Sequence, residues 1–309
     1  MDIEREIAAL AEDVTSGAAE LLERCLGLLA ALCQRAEVSD EQLPELLQRT
    51  TRAAISARPA MAGFVNLAAA VFGAAEGAPR GEVRQAVLAA LGEYRRARDA
   101  ALTRVAERGC ELLRPGGALL TISRSSTVLA CLMRAADVGM CLRVICSESR
   151  PMCEGVELAR ELAALGHRPA VVADALAPAL VQRAAVVLVG GDTVFRRGLV
   201  NKAGTYALAL AAREAGVPIY ALCPTEKFLA PAYEKFFENP AREPKLLLDP
   251  QPEGVEVWNY FFDITPLELL SGVVCEDGVL GADEVRARLE ELPVVERLAR
   301  EEARGDGQR

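Results

Sequence analysis

Residues 185–192 read Ala-Val-Val-Leu-Val-Gly-Gly-Asp. The apolar run is too short for a helix and rich in valine, which is typical of a strand buried on both faces of a parallel sheet. The glycine pair ends that strand. Asp192 therefore follows the carboxyl end of a buried strand, the place where open α/β sheets bind their ligands.

The segment that continues this stretch predicts an anion site. We expect Asn201 to cap a helix that continues from Tyr206 to Arg213, because asparagine is a favoured residue at a helix start. Lys202 then lies beside the free amide groups of the first helical turn. Helix starts bind anions readily, and phosphate is the usual one. Together with Asp192, these residues indicate a phosphorylated small molecule as the ligand.

The whole chain divides into two regions by its pattern. Residues 1–116 predict helices only, whereas short apolar runs alternate with helical patterns from residue 118 onward. Repeated strand–helix–strand units predict a parallel sheet covered by helices. We therefore expect an α/β fold, with a helical N-terminal domain in residues 1–116 and a Rossmann-like, doubly wound, mostly parallel sheet in residues 117–309. The predicted strands are residues 118–122, 142–146, 170–173, 185–189, 217–222 and 260–263.

Polar residues that follow the predicted strands are candidates for a shared site, because the carboxyl ends of parallel strands meet at one edge. The candidates after the first two strands are Ser123, Arg124, Ser125, Ser126 and Arg150. Hydroxyl groups suit a phosphate or a sugar, and an arginine can donate two parallel hydrogen bonds to a phosphate. Taken singly, the serines and Asp174 fit helix caps, and Arg150 fits a surface ion pair. Convergence with Asp192 and Lys202 favours one ligand site.

Composition narrows the class of protein. The net charge is −9, so the chain lacks the basic surplus of a general nucleic-acid binder, and we expect no direct contact with nucleic acid. The acidic N-terminus does not resemble a signal peptide, and no apolar run of spanning length is free of charge and proline. The sequence therefore predicts a cytoplasmic protein that does not enter the membrane.

Metal and cofactor sites are not expected. The chain has nine cysteines without a Cys-x-x-Cys pair and one histidine, which argues against a structural zinc site and favours reduced, buried thiols. The histidine, His167, lies between a helix and a strand at the opposite edge of the predicted sheet, so we expect it to be structural. Neither Gly-x-Gly-x-x-Gly nor a Walker sequence occurs, which argues against a dinucleotide cofactor and an NTPase.

Three motifs resemble the superfamily of initiation factor 2B regulatory subunits, which also contains ribose-1,5-bisphosphate isomerase and methylthioribose-1-phosphate isomerase. The motifs occupy residues 147–155, 190–205 and 262–280 and occur in the same order as in that superfamily. The resemblance implies a helical N-terminal domain, a Rossmann-like C-terminal domain and assembly into dimers or larger oligomers. Arg58, in the helical region, is similar to the superfamily's substrate-side arginine.

The resemblance also implies a chemistry. The superfamily's isomerases use a cysteine and an aspartate to move a proton between C1 and C2 of a sugar phosphate. The aspartate corresponds to Asp192 and the cysteine to Ser123, whose hydroxyl is far less acidic than a thiol and needs a helper base. Our first hypothesis is therefore a binding or regulatory protein for a sugar phosphate or nucleotide phosphate. The alternatives are an active aldose–ketose isomerase on a phosphorylated pentose and a pure assembly subunit.

Overall fold

The computed structural model of the protein describes residues 3–79 and 81–300. By the contacts between residues, the chain forms two compact units. The first holds the described residues up to Ala100, Glu226–Glu238 and the described residues from Arg288 onward, and the second holds Ala101–Thr225 and Asn239–Ala287. The domain boundary that we predict after residue 116 separates types of element along the chain, and it stays a prediction.

The helices that precede the first strand are α1 (Ile3–Glu12), α2 (Ala18–Cys33), α3 (Leu43–Ala57), α4 (Ala62–Gly77) and α5 (Val83–Glu111). A capping box precedes α3, because the Ser39 amide donates to Gln42 Oε1 and the Gln42 amide donates to Ser39 Oγ, both at 3.3 Å. Pro59 separates α3 from α4, since proline lacks the amide hydrogen that a continuous helix needs. Leucines that α2 buries completely contribute to the core of this unit.

The strands are β1 (Ala118–Ile122), β2 (Arg143–Ser147), β3 (Arg168–Val172), β4 (Val186–Val189), β5 (Thr193–Phe195), β6 (Gly198–Lys202), β7 (Ile219–Leu222), β8 (Phe262–Thr265), β9 (Gly272–Cys275) and β10 (Gly278–Leu280). The main sheet has the order β10-β9-β7-β4-β1-β2-β3, and β10 pairs antiparallel to β9 while the other neighbours are parallel. This arrangement confirms the predicted α/β fold with a mostly parallel, doubly wound sheet.

The helices that follow are α6 (Ser126–Asp137), α7 (Glu154–Ala164), α8 (Ala177–Leu180), α9 (Thr205–Ala215), α10 (Pro244–Leu247), α11 (Ala282–Glu290) and α12 (Glu296–Arg300). Apolar residues of α6 and α7 share one buried cluster with β1, β2 and β4. Val187, Leu188 and Val189 are completely buried, as their apolar run predicts. Burial of each such side chain contributes about 1.5–3 kcal/mol, so this core fixes where β4 ends.

Two parts of the sheet prediction were wrong. Asn201 and Lys202 lie on β6, which pairs antiparallel with β5 and β8 in a second, smaller sheet, and the helix begins only at Thr205. Gly198 makes this hairpin possible, because a Cβ atom there would overlap the carbonyl oxygen of Thr265. The strand predicted at residues 260–263 corresponds to β8 in this smaller sheet. The main sheet is completed instead by β9 and β10, which the sequence reading missed.

Candidate functional site

The carboxyl ends of β1 and β4 form the topological switch point, because the chain moves outward through β2 on one side and through β7 on the other. Ser125, after β1, and Gly190, after β4, are packed together there. A Cβ atom on Gly190 would lie 2.6 Å from the Cβ of Ser125, so only glycine fits. The same atom would lie 3.6 Å from Oδ1 of Asn201 on β6. Three strand ends therefore converge at this edge.

The loop after β1 leads directly into α6. Ser125 caps this helix, because its Oγ accepts a hydrogen bond from the amide of Val128 at 3.4 Å. Ser126 is the first residue of the helix. The cap that the sequence left open as an alternative is therefore present, and it fixes the amide groups of the first turn at the switch point.

Strained backbone marks the loops that follow β1 and β2. Within residues 3–79 and 81–300, the non-glycine residues with positive φ are Ser123 (62°), Ser149 (67°) and Cys153 (58°). The amide of Ser123 donates to Ser149 Oγ at 2.7 Å, which joins the two loops. A left-handed conformation costs a residue with a Cβ about 1–2 kcal/mol and persists where the surroundings enforce it, often at functional sites.

Asp174, after β3, holds the loop that follows β2. Its carboxylate accepts hydrogen bonds from the amides of Ser149 and Arg150, each at 2.7 Å, and from the hydroxyl of Ser147. The loop is also tightly packed, since a Cβ atom on Gly155 would overlap the carbonyl oxygen of Ser147. The sequence identified Asp174 as a helix cap or a ligand, whereas its observed contacts fix the conformation of a neighbouring loop.

Lys202 forms an ion pair that sequence reasoning missed. Its Nζ lies 2.8 and 3.0 Å from the two carboxylate oxygens of Glu154, the first residue of α7. Its side chain is buried, and Nζ also lies 5.0 Å from the centroid of the Phe261 ring. Lys202 is therefore at the predicted edge, but its charge is offset by a carboxylate 48 residues away in sequence.

Asp263 takes the place that we assigned to Asn201 at the start of α9. Its Oδ2 accepts hydrogen bonds from the amides of Gly204 at 2.8 Å and Tyr206 at 3.1 Å. Asn201 instead donates to the hydroxyl of Thr205 at 2.9 Å. Burial raises the pKa of Asp263, and the amide hydrogen bonds counteract that rise. The first amides of α9 are thus engaged by an internal carboxylate.

The remaining predicted cations differ in their partners. Arg124 forms an ion pair with Glu161 on α7 at 2.8 Å. Arg150 is exposed, and its guanidinium donates to the carbonyl of Leu247 at 3.2 Å. Arg58 belongs to the other compact unit, where its buried guanidinium donates to backbone carbonyls of that unit.

Asp192 lies where the sequence predicts, directly after β4 and its glycine pair. The residue is half-buried, and its amide donates to the carbonyl of Val200 on β6 at 2.9 Å. The small hairpin therefore fixes the backbone of Asp192 at the switch point. A carboxylate in this position can accept or return a proton if a ligand occupies the edge.

Cys131, Cys146 and His167 are buried in the core, whereas Cys141 is exposed and Cys153 is partly buried. Burial raises the pKa of Cys146 to about 12 and raises that of Cys131 further, so neither supplies a thiolate near neutral pH. His167 is buried: its Nδ1 accepts from the amide of Leu142 at 3.3 Å, and Nε2 lies 2.9 Å from the carbonyl of Leu132. Among the described residues, no group of His, Cys, Asp and Glu side chains is arranged to hold a metal ion.

Comparison with known proteins gives the family. Residues 14–282 match the Initiation factor 2 subunit family. The chain belongs to this family. A protein of Pyrococcus abyssi described as translation initiation factor eIF-2B subunit 2-like is 32% identical over 258 residues, which are 82% of this chain and 88% of that protein.

Other members of the family carry an enzyme name. The ribose 1,5-bisphosphate isomerase of Haloterrigena turkmenica is 30% identical over 280 residues, covering 85% of this chain and 86% of that enzyme. The crystal structure of the Pyrococcus horikoshii translation initiation factor eIF-2B superposes with a TM-score of 0.78 at 28% identity, over 90% of this chain and 96% of that one. In the described part of this family member, no helix has the length and apolarity needed to span a bilayer.

Proposed function

We propose that this member of the Initiation factor 2 subunit family binds a phosphorylated small molecule at the carboxyl edge of β1, β2 and β4. The ligand is a sugar phosphate or a nucleotide phosphate, and the role is binding or regulation. The observation that carries the proposal is the joined pair of strained loops, in which the amide of Ser123 donates to Ser149 Oγ at the switch point. Residues with such strained backbone cluster at active sites and ligand-binding sites.

The chemistry of the edge supports a phosphate group. Residues 123–126 lead into the capped start of α6, where backbone N–H groups favour an anion. Arg150 adds a guanidinium. Among the described residues, its one hydrogen-bond partner is the carbonyl of Leu247. The name of the Haloterrigena turkmenica relative refers to a phosphorylated sugar, which fits the same class of ligand.

Calorimetric titration and thermal unfolding test this proposal. We expect ribose 1,5-bisphosphate, ribose 5-phosphate or AMP to bind, and we expect D-ribose and adenosine to bind far more weakly. At 100 times its Kd, a bound ligand raises the free energy of unfolding by about 2.7 kcal/mol. Equal behaviour of the phosphorylated and unphosphorylated compounds would contradict the proposal.

An aldose–ketose isomerase acting on a phosphorylated pentose is the second candidate, favoured by the half-buried Asp192 directly after β4. In that reaction Asp192 is the acid–base group and Ser123 occupies the position of the cysteine. The serine has no thiol acidity, and the buried cysteines of the core do not replace it. NMR spectra of the pentose phosphate, recorded over time with the protein present, show whether the compound is converted. Conversion indicates an enzyme, and an unchanged compound indicates a binding protein.

Assembly is a further part of the proposal: we infer a homodimer in the cytoplasm. Trp258 is 73% exposed and Tyr260 46% exposed, and they alternate with the buried Asn259 and Phe261. Exposed aromatic side chains of this size are typical of protein–protein contacts. We expect light scattering at micromolar concentration to give a dimer mass that Trp258→Glu reduces to the monomer, whereas Leu176→Glu, at an exposed leucine, leaves it unchanged. A monomeric wild type would refute the dimer.

A further inference from the structure

A second cation shares an aromatic neighbour with Lys202. The guanidinium carbon of Arg242 is 5.5 Å from the centroid of the Phe261 ring, and Nζ of Lys202 is 5.0 Å from the same centroid. The two positive charges thus share one aromatic neighbour within the same compact unit. Phe261 is buried and precedes β8, so its ring is a fixed reference for both side chains.

Lys202 has a carboxylate partner that neutralises its charge, whereas Arg242 has none among the described residues. Lys202 contacts both carboxylate oxygens of Glu154. In residues 3–79 and 81–300, the Arg242 guanidinium has neither an ion pair nor a hydrogen bond, and its backbone amide alone donates, to the carbonyl of Asn259 at 2.7 Å. The adjacent carboxylate of Glu243 is engaged by Lys245 at 2.7 Å. Lys202, Glu154 and Arg242 together therefore carry one net positive charge, and Arg242 supplies it.

Arg242 is also withdrawn from water. Its side chain is half-buried, and burial lowers the pKa of its guanidinium, which remains charged because arginine is not deprotonated in proteins. A partly desolvated charge without a carboxylate is costly, and an anionic ligand removes that cost. Guanidinium is the side chain best suited to such a ligand, since its fork of donors matches two oxygens of a phosphate.

The segment that carries Arg242 is attached to the proposed ligand edge. Arg150, in the loop after β2, donates to the carbonyl of Leu247 at the end of α10, five residues beyond Arg242 in sequence. Glu154, the partner of Lys202, begins α7 at the far end of that same loop. The loop after β2 is thus joined to Lys202 through Glu154 and to the segment after Arg242 through Leu247.

We propose that Arg242 is the specificity-determining residue for the phosphate group, which it binds beside the Lys202–Glu154 pair. This inference rests on the proposed function, since it names the residue that recognises the same ligand. Lys202 acts here as one half of an internal ion pair that holds the loop after β2, and Arg242 provides the net attraction for the anion. A ligand without a phosphate gains nothing from Arg242.

Titration of ribose 5-phosphate and D-ribose into four proteins tests the assignment: wild type, Arg242→Gln, Arg242→Lys and Arg197→Gln. Arg197→Gln is the matched control, because Arg197 also places its guanidinium over a phenyl ring, that of Phe195, at 5.5 Å. We expect Arg242→Gln to weaken ribose 5-phosphate at least about tenfold, as loss of a charge-assisted hydrogen bond does. Arg242→Lys keeps the charge and loses the fork, so we expect an intermediate loss.

The outcomes separate the two levels of the proposal. Unchanged ribose 5-phosphate affinity in Arg242→Gln, with binding by the wild type, overturns the role of Arg242 and leaves the proposed function standing. A wild type that binds no phosphorylated compound overturns both. Equal weakening by Arg197→Gln also overturns the assignment, because a general loss of positive charge then explains the effect. Melting temperatures of Arg242→Gln and Arg242→Lys check that both variants fold.

Discussion

Nζ of Lys202 lies 2.8 Å from Oε1 and 3.0 Å from Oε2 of Glu154, so the end of β6 is joined to the start of α7 by a two-oxygen ion pair. The lysine side chain is 5% exposed and that of the glutamate 23% exposed. Such a pair contributes little net stability compared with apolar residues, but removal of one member leaves the other charge uncompensated in a poorly solvated position. The pair therefore acts mainly as a positional constraint on the loop after β2.

Glu154→Gln tests this constraint. We expect a loss of about 2 kcal/mol in the free energy of unfolding, between the values for exposed and fully buried pairs, because Lys202 stays charged and buried. Urea denaturation at neutral pH measures it. Glu157→Gln is the matched control on the same helix: it removes the exposed pair with Arg160, and we expect a change within about 0.5 kcal/mol. Equal losses of stability in the two variants would show that the buried Lys202–Glu154 pair contributes no more than an exposed ion pair.

Gly190→Ala tests the convergence of strand ends at the switch point. The added Cβ would lie 2.6 Å from the Cβ of Ser125, so either the cap of α6 or the end of β4 must move. We expect a loss of about 1–3 kcal/mol in stability and of ligand binding. Gly27→Ala serves as the control, since a Cβ at this helical position meets no atom within 4 Å, and alanine there stabilises α2. If Gly190→Ala is as stable as wild type and binds the ligand normally, the close packing of Gly190 against Ser125 is contradicted.

Asp263→Asn tests the carboxylate that caps α9. Burial raises the pKa of Asp263 above its unfolded value, so the folded state binds this proton more tightly than the unfolded state does. The stability that this group contributes is present below the unfolded pKa of about 3.9 and is lost as the pH rises through the folded pKa.

The asparagine variant removes this titration. We therefore expect the free energy of unfolding of Asp263→Asn, relative to wild type, to increase from pH 3.5 upward until the pH exceeds the folded pKa. Urea denaturation across this range measures the difference. A difference that is independent of pH would show that the carboxylate has the same pKa in both states.

The sequence predicts strands β1, β2, β3, β4 and β7 of the main sheet because the information that specifies them is local. The apolar run of residues 185–189 and the glycines after it determine a buried strand and its end, and β4 lies where they predict. Ser125 could also be placed, since a serine before an apolar helix pattern is a cap. These residues depend on neighbours within a few positions along the chain.

The charge arrangement of the site could not be predicted because its partners are distant in sequence. Glu154 and Lys202 are 48 residues apart. Asp263 is 59 residues from Gly204, whose amide donates a hydrogen bond to its carboxylate. Asn201 was misassigned for the same reason: an asparagine before Gly-Thr-Tyr fits a helix cap locally, whereas pairing with β8 extends the strand through Lys202. Both carboxylates lie within the motifs that carry the family resemblance, which was the available signal.

The chemistry at Ser123 gives the last prediction. Isomerisation needs one group to take the C2 proton and others to move protons among the oxygens. Asp192 follows β4 at the switch point, whereas Ser123 has a hydroxyl in place of a thiol and a backbone fixed by Ser149. We therefore expect wild type to catalyse little or no exchange of the C2 proton of ribose 1,5-bisphosphate in D₂O.

The variants make this expectation specific to the two residues. Ser123→Cys should raise any trace exchange, because a thiol with a pKa near 8.5 transfers protons near neutral pH far better than a hydroxyl. Asp192→Asn should abolish exchange in the Ser123→Cys background without lowering the melting temperature. Rapid exchange by wild type that Asp192→Asn leaves intact would contradict both the expected inactivity of wild type and the role of Asp192. Rapid exchange that Asp192→Asn removes would instead establish the isomerase, with serine sufficient in the cysteine's position.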